Sequence, residues 1–286
     1  MQSRLNSPAT MPSDAESSER RTQVIAVSSG KGGVGKTNVV ASLAVALSKS
    51  GKRVLVLDAD LGLGNLDVLL GLVPRYTIEH VLSGARSLDE VLLEGPAGIH
   101  VLPASSGVQT LTALTESQQL LIQEQLEQIS LDTDILLIDT GAGISPTVTF
   151  FASSAHDTVI VLSPEPTSLT DAYALIKVLA RQYREHRFKV LVNQAKNPRE
   201  AADVFRKLDL AADRFLHVAI DYIGCIPHDD YVPLAVMQQK AVADLFPESP
   251  ASQAFARLAR QVTQWPRPGI PKSSMQLLWQ RLVQTA

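Results

Sequence analysis

Residues 24–37 read VIAVSSGKGGVGKT, and this stretch decides the fold. A short apolar run enters a cluster of glycines, and small and apolar residues then recur at helical spacing as far as Ser50. This order predicts a buried strand, a glycine-rich loop and a helix. The loop satisfies the pattern G-x-x-x-x-G-K-[ST], in which backbone N–H groups and a helix N-terminus bind phosphates. The segment therefore predicts a nucleotide-binding site.

The loop residues have separate expected roles. Glycines let the backbone turn its N–H groups towards an anion. Lys36 should pair with the β- and γ-phosphates, and the Thr37 hydroxyl should bind Mg²⁺. The alternative is a glycine-rich turn without this function, but strand, glycines, Lys and Thr all occur in register. The expected nucleotide contacts from this segment are Gly30, Lys31, Gly32, Gly33, Val34, Gly35, Lys36, Thr37 and Asn38.

Strand-like runs recur along the rest of the chain. They lie at 53–58, 99–103, 134–139, 157–162, 188–193 and 220–226. Helical stretches between them include 116–129, 168–185 and 197–208. Because strands that alternate with helices need crossover connections, the sequence predicts an α/β fold: a doubly wound, mostly parallel sheet with helices on both faces.

Two segments rich in aspartate follow predicted strands. LDADLGLGNLD supplies Asp58, Asp60 and Asp67, and ILLIDTGAG ends a buried strand in Asp139. A carboxylate at a strand end is what Mg²⁺ needs, and Gly141 can bring a backbone N–H close to the terminal phosphate. The alternative for the first segment is that Asp58 only ends its strand and Asp60 caps the next helix. Asp67 is expected to be a cap or a surface residue.

The lysine directly after the first glycine, Lys31 in KGGVGKT, resembles the deviant Walker A signature of the MinD/ParA family of ATPases. The resemblance implies an ATP-dependent homodimer in which Lys31 reaches the partner's phosphates and stabilises charge there. A solvated loop lysine is the alternative. The resemblance also implies that Asp60 activates the attacking water and that Asp58 lies near the metal. The expected catalytic residues are Lys31, Lys36 and Asp60. The expected metal ligands are Thr37, Asp58 and Asp139.

The expected base is adenine. The strand that reads VLVNQAKN contains Asn193 but lacks the Lys and Asp of the Asn-Lys-x-Asp element typical of guanine-specific GTPases. The family resemblance implies that Asn193 contacts adenine and that the loop 226–230 (IPHDD) packs on the base and ribose, with Pro227 as its expected contact residue. The expected cofactors are therefore ATP and Mg²⁺.

Three stretches, DADLGLGNLDVLLGL, EPTSLTDAYALIK and IPHDDYVPLAV, resemble the flagellar-number regulator branch of the family, FlhG or FleN. This resemblance implies a slow, dimerisation- or partner-stimulated ATPase that negatively regulates flagellar number and placement. Its implied partners are a flagellar transcription activator of the FleQ type and an FlhF-type GTPase. Two features depart from the branch: residues 1–22 contain no Gln-Ala pair of the GTPase-stimulating helix, and Ser145 stands where other relatives carry a carboxylate.

Other readings of the function stay open. One is a MinD-like, membrane-associated regulator of the division site, and another is an antiactivator that binds ATP without hydrolysing it. A ParA-like DNA-partitioning ATPase is disfavoured, because the net charge is −3 and the basic residues of 181–214 are interspersed with acids. Iron–sulfur carriers are disfavoured because Cys225 is the one cysteine of the chain.

The chain divides into three predicted parts. Residues 1–21 form a polar N-terminal tail, residues 22–265 the ATPase domain, and residues 266–286 a proline-rich linker with an amphipathic helix over 274–283. That helix is expected either to contact the inner face of the cell membrane peripherally or to dock on a protein surface. Cysteine usage and the lack of a signal peptide favour a cytoplasmic setting.

Overall fold

In a computed structural model of the chain, the described residues are 22–60, 64–76, 80–81, 83–103 and 132–266. The predicted N-terminal tail, the predicted helix 116–129 and the predicted C-terminal helix lie outside these ranges. Within them, no helix is both long and apolar enough to cross a membrane.

Seven predicted strands form one sheet with an eighth, shorter strand. The strands are β1 (Gln23–Ser29), β2 (Val54–Ala59), β3 (Leu93–Glu94), β4 (His100–Leu102), β5 (Ile135–Ala142), β6 (Asp157–Leu162), β7 (Arg187–Ala195) and β8 (Ala219–Pro227). Their order is β3-β4-β2-β5-β1-β6-β7-β8, and all pairs are parallel except β3 with β4. The predicted mostly parallel sheet is confirmed. Strand β3 was not predicted, because two residues are too few to give a pattern.

The helices of the described residues connect these strands. They are α1 (Lys36–Lys49), α2 (Leu66–Leu69), α3 (Leu88–Val91), α4 (Pro146–Ser154), α5 (Pro166–Tyr183), α6 (Pro198–Leu216), α7 (Tyr231–Met237), α8 (Val242–Leu245) and α9 (Pro250–Val262). Proline at the first helical position suits a helix start, since its fixed φ is helical and its missing N–H is not needed there. The side chain of Ser145 caps α4 by accepting from the Val148 amide at 3.4 Å, which gives that departure from the family a structural role.

Alternate residues of the central strand face opposite cores. Ile25 and Val27 of β1 pack in one apolar cluster with α1 and α9, while Val24 and Ala26 pack in another cluster on the opposite face. Burial on both faces explains why this strand reads as a continuous apolar run. In a parallel sheet the carboxyl ends of the strands meet at one edge, and ligands bind in the crevice there. The loops that follow β1, β2, β5, β7 and β8 therefore converge.

Candidate nucleotide-binding site

The predicted phosphate loop joins β1 to α1 and needs glycine at two positions for different reasons. A Cβ on Gly30 would collide with the backbone of α5 at Asp171. Gly35 has φ of 83°, a left-handed conformation, and a Cβ there would lie 2.5 Å from the amide nitrogen of Asn193. The glycines thus allow the loop to pack tightly between α5 and the end of β7.

Lys36 lies at the start of α1 and is buried. Its Nζ is 2.5 Å from Oδ1 of Asp139, and the two side chains are 8% and 2% exposed. Asp139 is carried there by β5, which pairs with β1 on one side and β2 on the other. The lysine charge is therefore balanced by the carboxylate that the sequence predicts as a metal ligand.

The oxygen atoms around Asp139 have the chemistry of a magnesium site. The Thr37 side chain lies near the Asp139 carboxylate and favours its ionised form. Burial raises the pKa of Asp139 above its ordinary range, and the Lys36 ammonium opposes that rise. A hydroxyl and a carboxylate at a helix N-terminus fit Mg²⁺ with phosphate oxygens as further ligands. Of the three predicted metal ligands, Thr37 and Asp139 are brought together in this way.

Asp58, the third predicted metal ligand, holds the segment that follows β2. Its Oδ1 accepts from the Asp60 amide at 3.1 Å and its Oδ2 from the Leu66 amide at 3.2 Å. Burial, followed by the nearby charge of Asp139, raises the pKa of Asp58 to about 6. Both carboxylate oxygens thus accept from backbone donors, one at Asp60 and one at Leu66.

Asp60 lies at the same edge of the sheet. Its Oδ1 would be 3.5 Å from a Cβ on Gly141, so the two segments that follow β2 and β5 are in contact. Asp60 does not cap α2, whose N-cap residue is Asn65, and that alternative is wrong. Asp67 lies within α2, and its side chain accepts from the neighbouring Val68 amide, as expected of a surface residue.

Lys31 has a different environment from Lys36. Its Nζ is 2.7 Å from Oε2 of Glu165 and 3.0 Å from Oγ1 of Thr167 at the start of α5. The Lys31 and Glu165 side chains are 38% and 63% exposed. Exposed ion pairs of this kind contribute about 0–1 kcal/mol, so this contact is easily exchanged for another.

A cavity of about 170 Å³ lies beside the phosphate loop and is called the base cavity below. Asn38, Asn193 and Pro227, three of the residues expected to contact the nucleotide, line it. Asn193 is buried, and its Nδ2 donates to the carbonyl oxygen of Val34 at 2.8 Å. This bond joins the cavity directly to the phosphate loop. The strand is irregular here: Gln194 adopts a left-handed φ of 60°, and the β7–β8 register shifts between Val192 and Ala195.

Several residues of the base cavity are absent from the predicted set. They are Val39, Ser42, Gln194, Val232, Pro233, Val242 and Phe255. Ile226, His228 and Asp229 also line the cavity and belong to the loop IPHDD, which the family resemblance implies at the base and ribose. Spacing offered one signal, since Ser42 lies four residues after Asn38 and so on the same helix face. The sequence gives no signal for most of the others, because they lie on α7, α8 and α9, which only the folded chain brings next to α1.

The loop after β8 is anchored at two points. The His228 amide donates to the carbonyl of Ala195 at 2.9 Å, which ties the loop to β7. Asp229 accepts from the Tyr231 amide at 3.0 Å and from the Ala251 amide at 2.8 Å. Since Ala251 belongs to the first turn of α9, the position of Pro227 depends on both β7 and α9.

Comparison with known proteins places this arrangement in a family. Residues 22–191 match a family described as an AAA domain. Antiactivator FleN of Pseudomonas aeruginosa is 48% identical over 262 residues, which span 92% of this chain and 94% of FleN. The chain is a member of the MinD/ParA-type P-loop ATPase family. Flagellum site-determining protein YlxH of Helicobacter pylori is 32% identical, with 92% of this chain and 90% of that protein covered.

The similarity to FleN and YlxH assigns the chain to the flagellar-regulator branch of the MinD/ParA family. The fold agrees: septum site-determining protein MinD from Pyrococcus horikoshii, solved with Mg-ADP, superposes with a TM-score of 0.65 at 25% identity. That match covers 85% of this chain and 96% of the MinD chain. Both the predicted fold class and the predicted family are confirmed.

Proposed function

We propose that this protein is an ATP-gated dimerising ATPase that negatively regulates flagellar number and placement. In this proposal ATP and Mg²⁺ bind at the phosphate loop and base cavity, two copies associate, and slow hydrolysis separates them again. The implied partners are a flagellar transcription activator of the FleQ type, an FlhF-type GTPase, or both. The similarity to antiactivator FleN over most of both chains supports this output.

The ATPase activity in this proposal is supported by the different environments of two lysines in the phosphate loop. Lys36 is buried against Asp139, at the point where the chain's own nucleotide would place its phosphates. Lys31 is partly exposed and held by a surface ion pair, so little free energy is lost when it moves to a second copy. One lysine is therefore suited to act within the chain and the other across an interface.

The other proposed roles follow from position. Thr37 and Asp139 would hold Mg²⁺, which supplies charge neutralisation at the phosphates. Asp58 accepts hydrogen bonds from the Asp60 and Leu66 amides, and so would fix the position of the Asp60 backbone. Asp60, beside Gly141, would orient the attacking water. The base would enter the cavity between Asn193 and Pro227.

The test is size-exclusion chromatography with light scattering, paired with phosphate release. Asp60→Ala should form a dimer with MgATP and release at least about tenfold less phosphate than the wild type, since a positioned general base contributes about 10²–10⁴-fold. Asp67→Ala, at a partly exposed position whose side chain contacts the neighbouring Val68 amide, is the matched control and should behave like the wild type. An Asp60→Ala protein that stays monomeric in saturating MgATP would contradict the proposal.

The regulatory output needs a second measurement. With MgATP, the Asp60→Ala protein should capture the purified FleQ-type activator, and the same protein with MgADP should not. If capture succeeds but the wild type releases no phosphate above background, alone or with the activator, the protein is a non-hydrolysing antiactivator. Peripheral membrane contact through residues 274–283 remains a prediction, tested by liposome co-sedimentation with and without residues 273–286.

A further inference from the structure

A buried serine of α1 has an unusual environment. Among the described residues, Ser42 Oγ is the buried side-chain oxygen or nitrogen without a hydrogen-bond partner. The residue is 1% exposed. Leaving a buried hydroxyl unpaired costs about 1–3 kcal/mol, so folded proteins keep such groups rarely and usually for a reason.

The position of Ser42 points to a ligand. Ser42 lines the base cavity together with Asn38, Asn193 and Pro227. It lies six residues beyond Lys36, which is about 9 Å along the helix at a rise of about 1.5 Å per residue. That distance separates it from the phosphate-binding end of α1. A group that satisfies this hydroxyl would therefore belong to the base end of a bound nucleotide.

A second hydroxyl on the same helix provides a comparison. Ser48 Oγ donates to the carbonyl oxygen of Ala97 at 2.6 Å, so it is satisfied within the chain. Ser48 is not among the residues that line the base cavity. Both residues are serines of the same helix, but the folded chain supplies a hydrogen-bond partner for the Ser48 hydroxyl and none for the Ser42 hydroxyl.

We propose that Ser42 is a binding residue for the base end of the nucleotide, and that its hydroxyl is satisfied by the adenine ring, directly or through one enclosed water. The inference rests on the proposed function, which places an adenine nucleotide in the cavity. A hydroxyl both donates and accepts, and the adenine edge offers ring nitrogens as acceptors and an amino group as donor. Ser42 would thus contribute to binding without touching the phosphates.

Calorimetric titration of the full chain tests this with two probes, MgADP and inorganic tripolyphosphate. Ser42→Ala should weaken MgADP binding about fivefold, the value of one neutral hydrogen bond, and leave tripolyphosphate binding unchanged. Its melting temperature without nucleotide should not fall, because the deleted hydroxyl had no partner. Ser48→Ala should bind both probes like the wild type.

The outcomes separate this inference from the proposed function. If the wild type binds MgADP and Ser42→Ala binds it equally well, the role of Ser42 is overturned while the proposed function stands. Equal weakening of both probes would also overturn it. A wild type that binds no adenine nucleotide would overturn the proposed function itself. Should Ser42→Ala fail to fold, Ser42→Cys, with its weaker hydrogen-bonding group, must still weaken MgADP binding for the inference to hold.

Discussion

At the phosphate end of the site, Lys36 and Asp139 are buried against each other, and Asp58 adds a second buried carboxylate. In the base cavity, by contrast, the buried polar groups are uncharged: the Asn193 amide donates to the phosphate loop, and the Ser42 hydroxyl has no partner. At the phosphate end, a nucleotide must therefore replace the buried ion pair between Lys36 and Asp139 with its own phosphate contacts. The base cavity presents buried neutral groups that a ligand can complete, and the Asp229 carboxylate in its lining is partly exposed and bound to the Tyr231 and Ala251 amides.

Because of this difference, the two ends should respond differently to mutation. A buried charge left without its partner costs several kcal/mol, whereas a neutral hydrogen bond is worth about 1 kcal/mol. Changes at the phosphate end should thus alter stability and binding together. Changes at the base cavity should alter affinity for the base with small effects on folding.

The largest effect is expected for Lys36→Gln. Removing the ammonium leaves Asp139 buried without its partner, so the unfolding free energy should fall by about 3 kcal/mol at pH 7. Binding of MgADP should weaken about 100-fold or more, because a buried charge contact with the phosphates is lost. Urea unfolding and calorimetry measure the two effects.

The control for this variant is the double change Lys36→Gln with Asp139→Asn. It removes both charges and should recover most of the lost stability without recovering nucleotide binding. If the double variant is no more stable than Lys36→Gln, the buried pair does not account for the loss. The contrast between the two ends of the site would then fail at its strongest point.

A smaller effect of opposite sign is expected for Asp58→Asn. The pKa of Asp58 is about 6 against an ordinary 3.8, so ionised Asp58 costs the folded state about 3 kcal/mol at pH 7. Asparagine removes that cost but its single oxygen serves two backbone donors less well, so a net gain of about 2 kcal/mol is expected. The nucleotide-free variant should therefore be more stable than the wild type in urea.

The pH dependence checks the cause. The folded pKa lies above the unfolded one, so the folded state binds the proton more tightly and the wild type gains stability from Asp58 as the pH falls through 6. The advantage of Asp58→Asn should accordingly shrink between pH 7.5 and pH 5. An advantage that is constant over this range would mean that ionisation of Asp58 is not its source.

The phosphate end was the part of the site most open to prediction from sequence. Its residues come from one continuous loop, which a sequence motif identifies, and from the ends of two apolar strands, which the hydrophobic pattern identifies. The Leu66 amide binds Asp58 from eight residues further along the chain, and the ion pair of Lys31 with Glu165 joins segments that only the fold brings together. Local sequence contains no signal for such contacts.

The base cavity was less predictable for the same physical reason. Asn193 and the loop that contains Pro227 and Asp229 were expected from family resemblance, whereas no motif marked Ser42. Enclosure by α9 requires that a helix near the end of the described chain pack on α1 near its beginning, and only tertiary structure brings these elements together. The unsatisfied hydroxyl is a property of that packing.

The smallest effect is expected for Asp229→Ala, which tests whether the base cavity can be altered without affecting the phosphate end. The change removes the acceptor for the Tyr231 and Ala251 amides, but these backbone groups lie at helix starts, where water can replace the lost partner, so stability should fall by only about 1 kcal/mol. Because the loop that holds Pro227 is loosened, MgADP binding should weaken about fivefold while tripolyphosphate binding is unchanged. Calorimetry with both probes makes the measurement, with the exposed neighbour variant Asp230→Ala as the control. Equal loss of both probes would show that the base cavity and phosphate end respond as one unit, and the contrast drawn between them would be wrong.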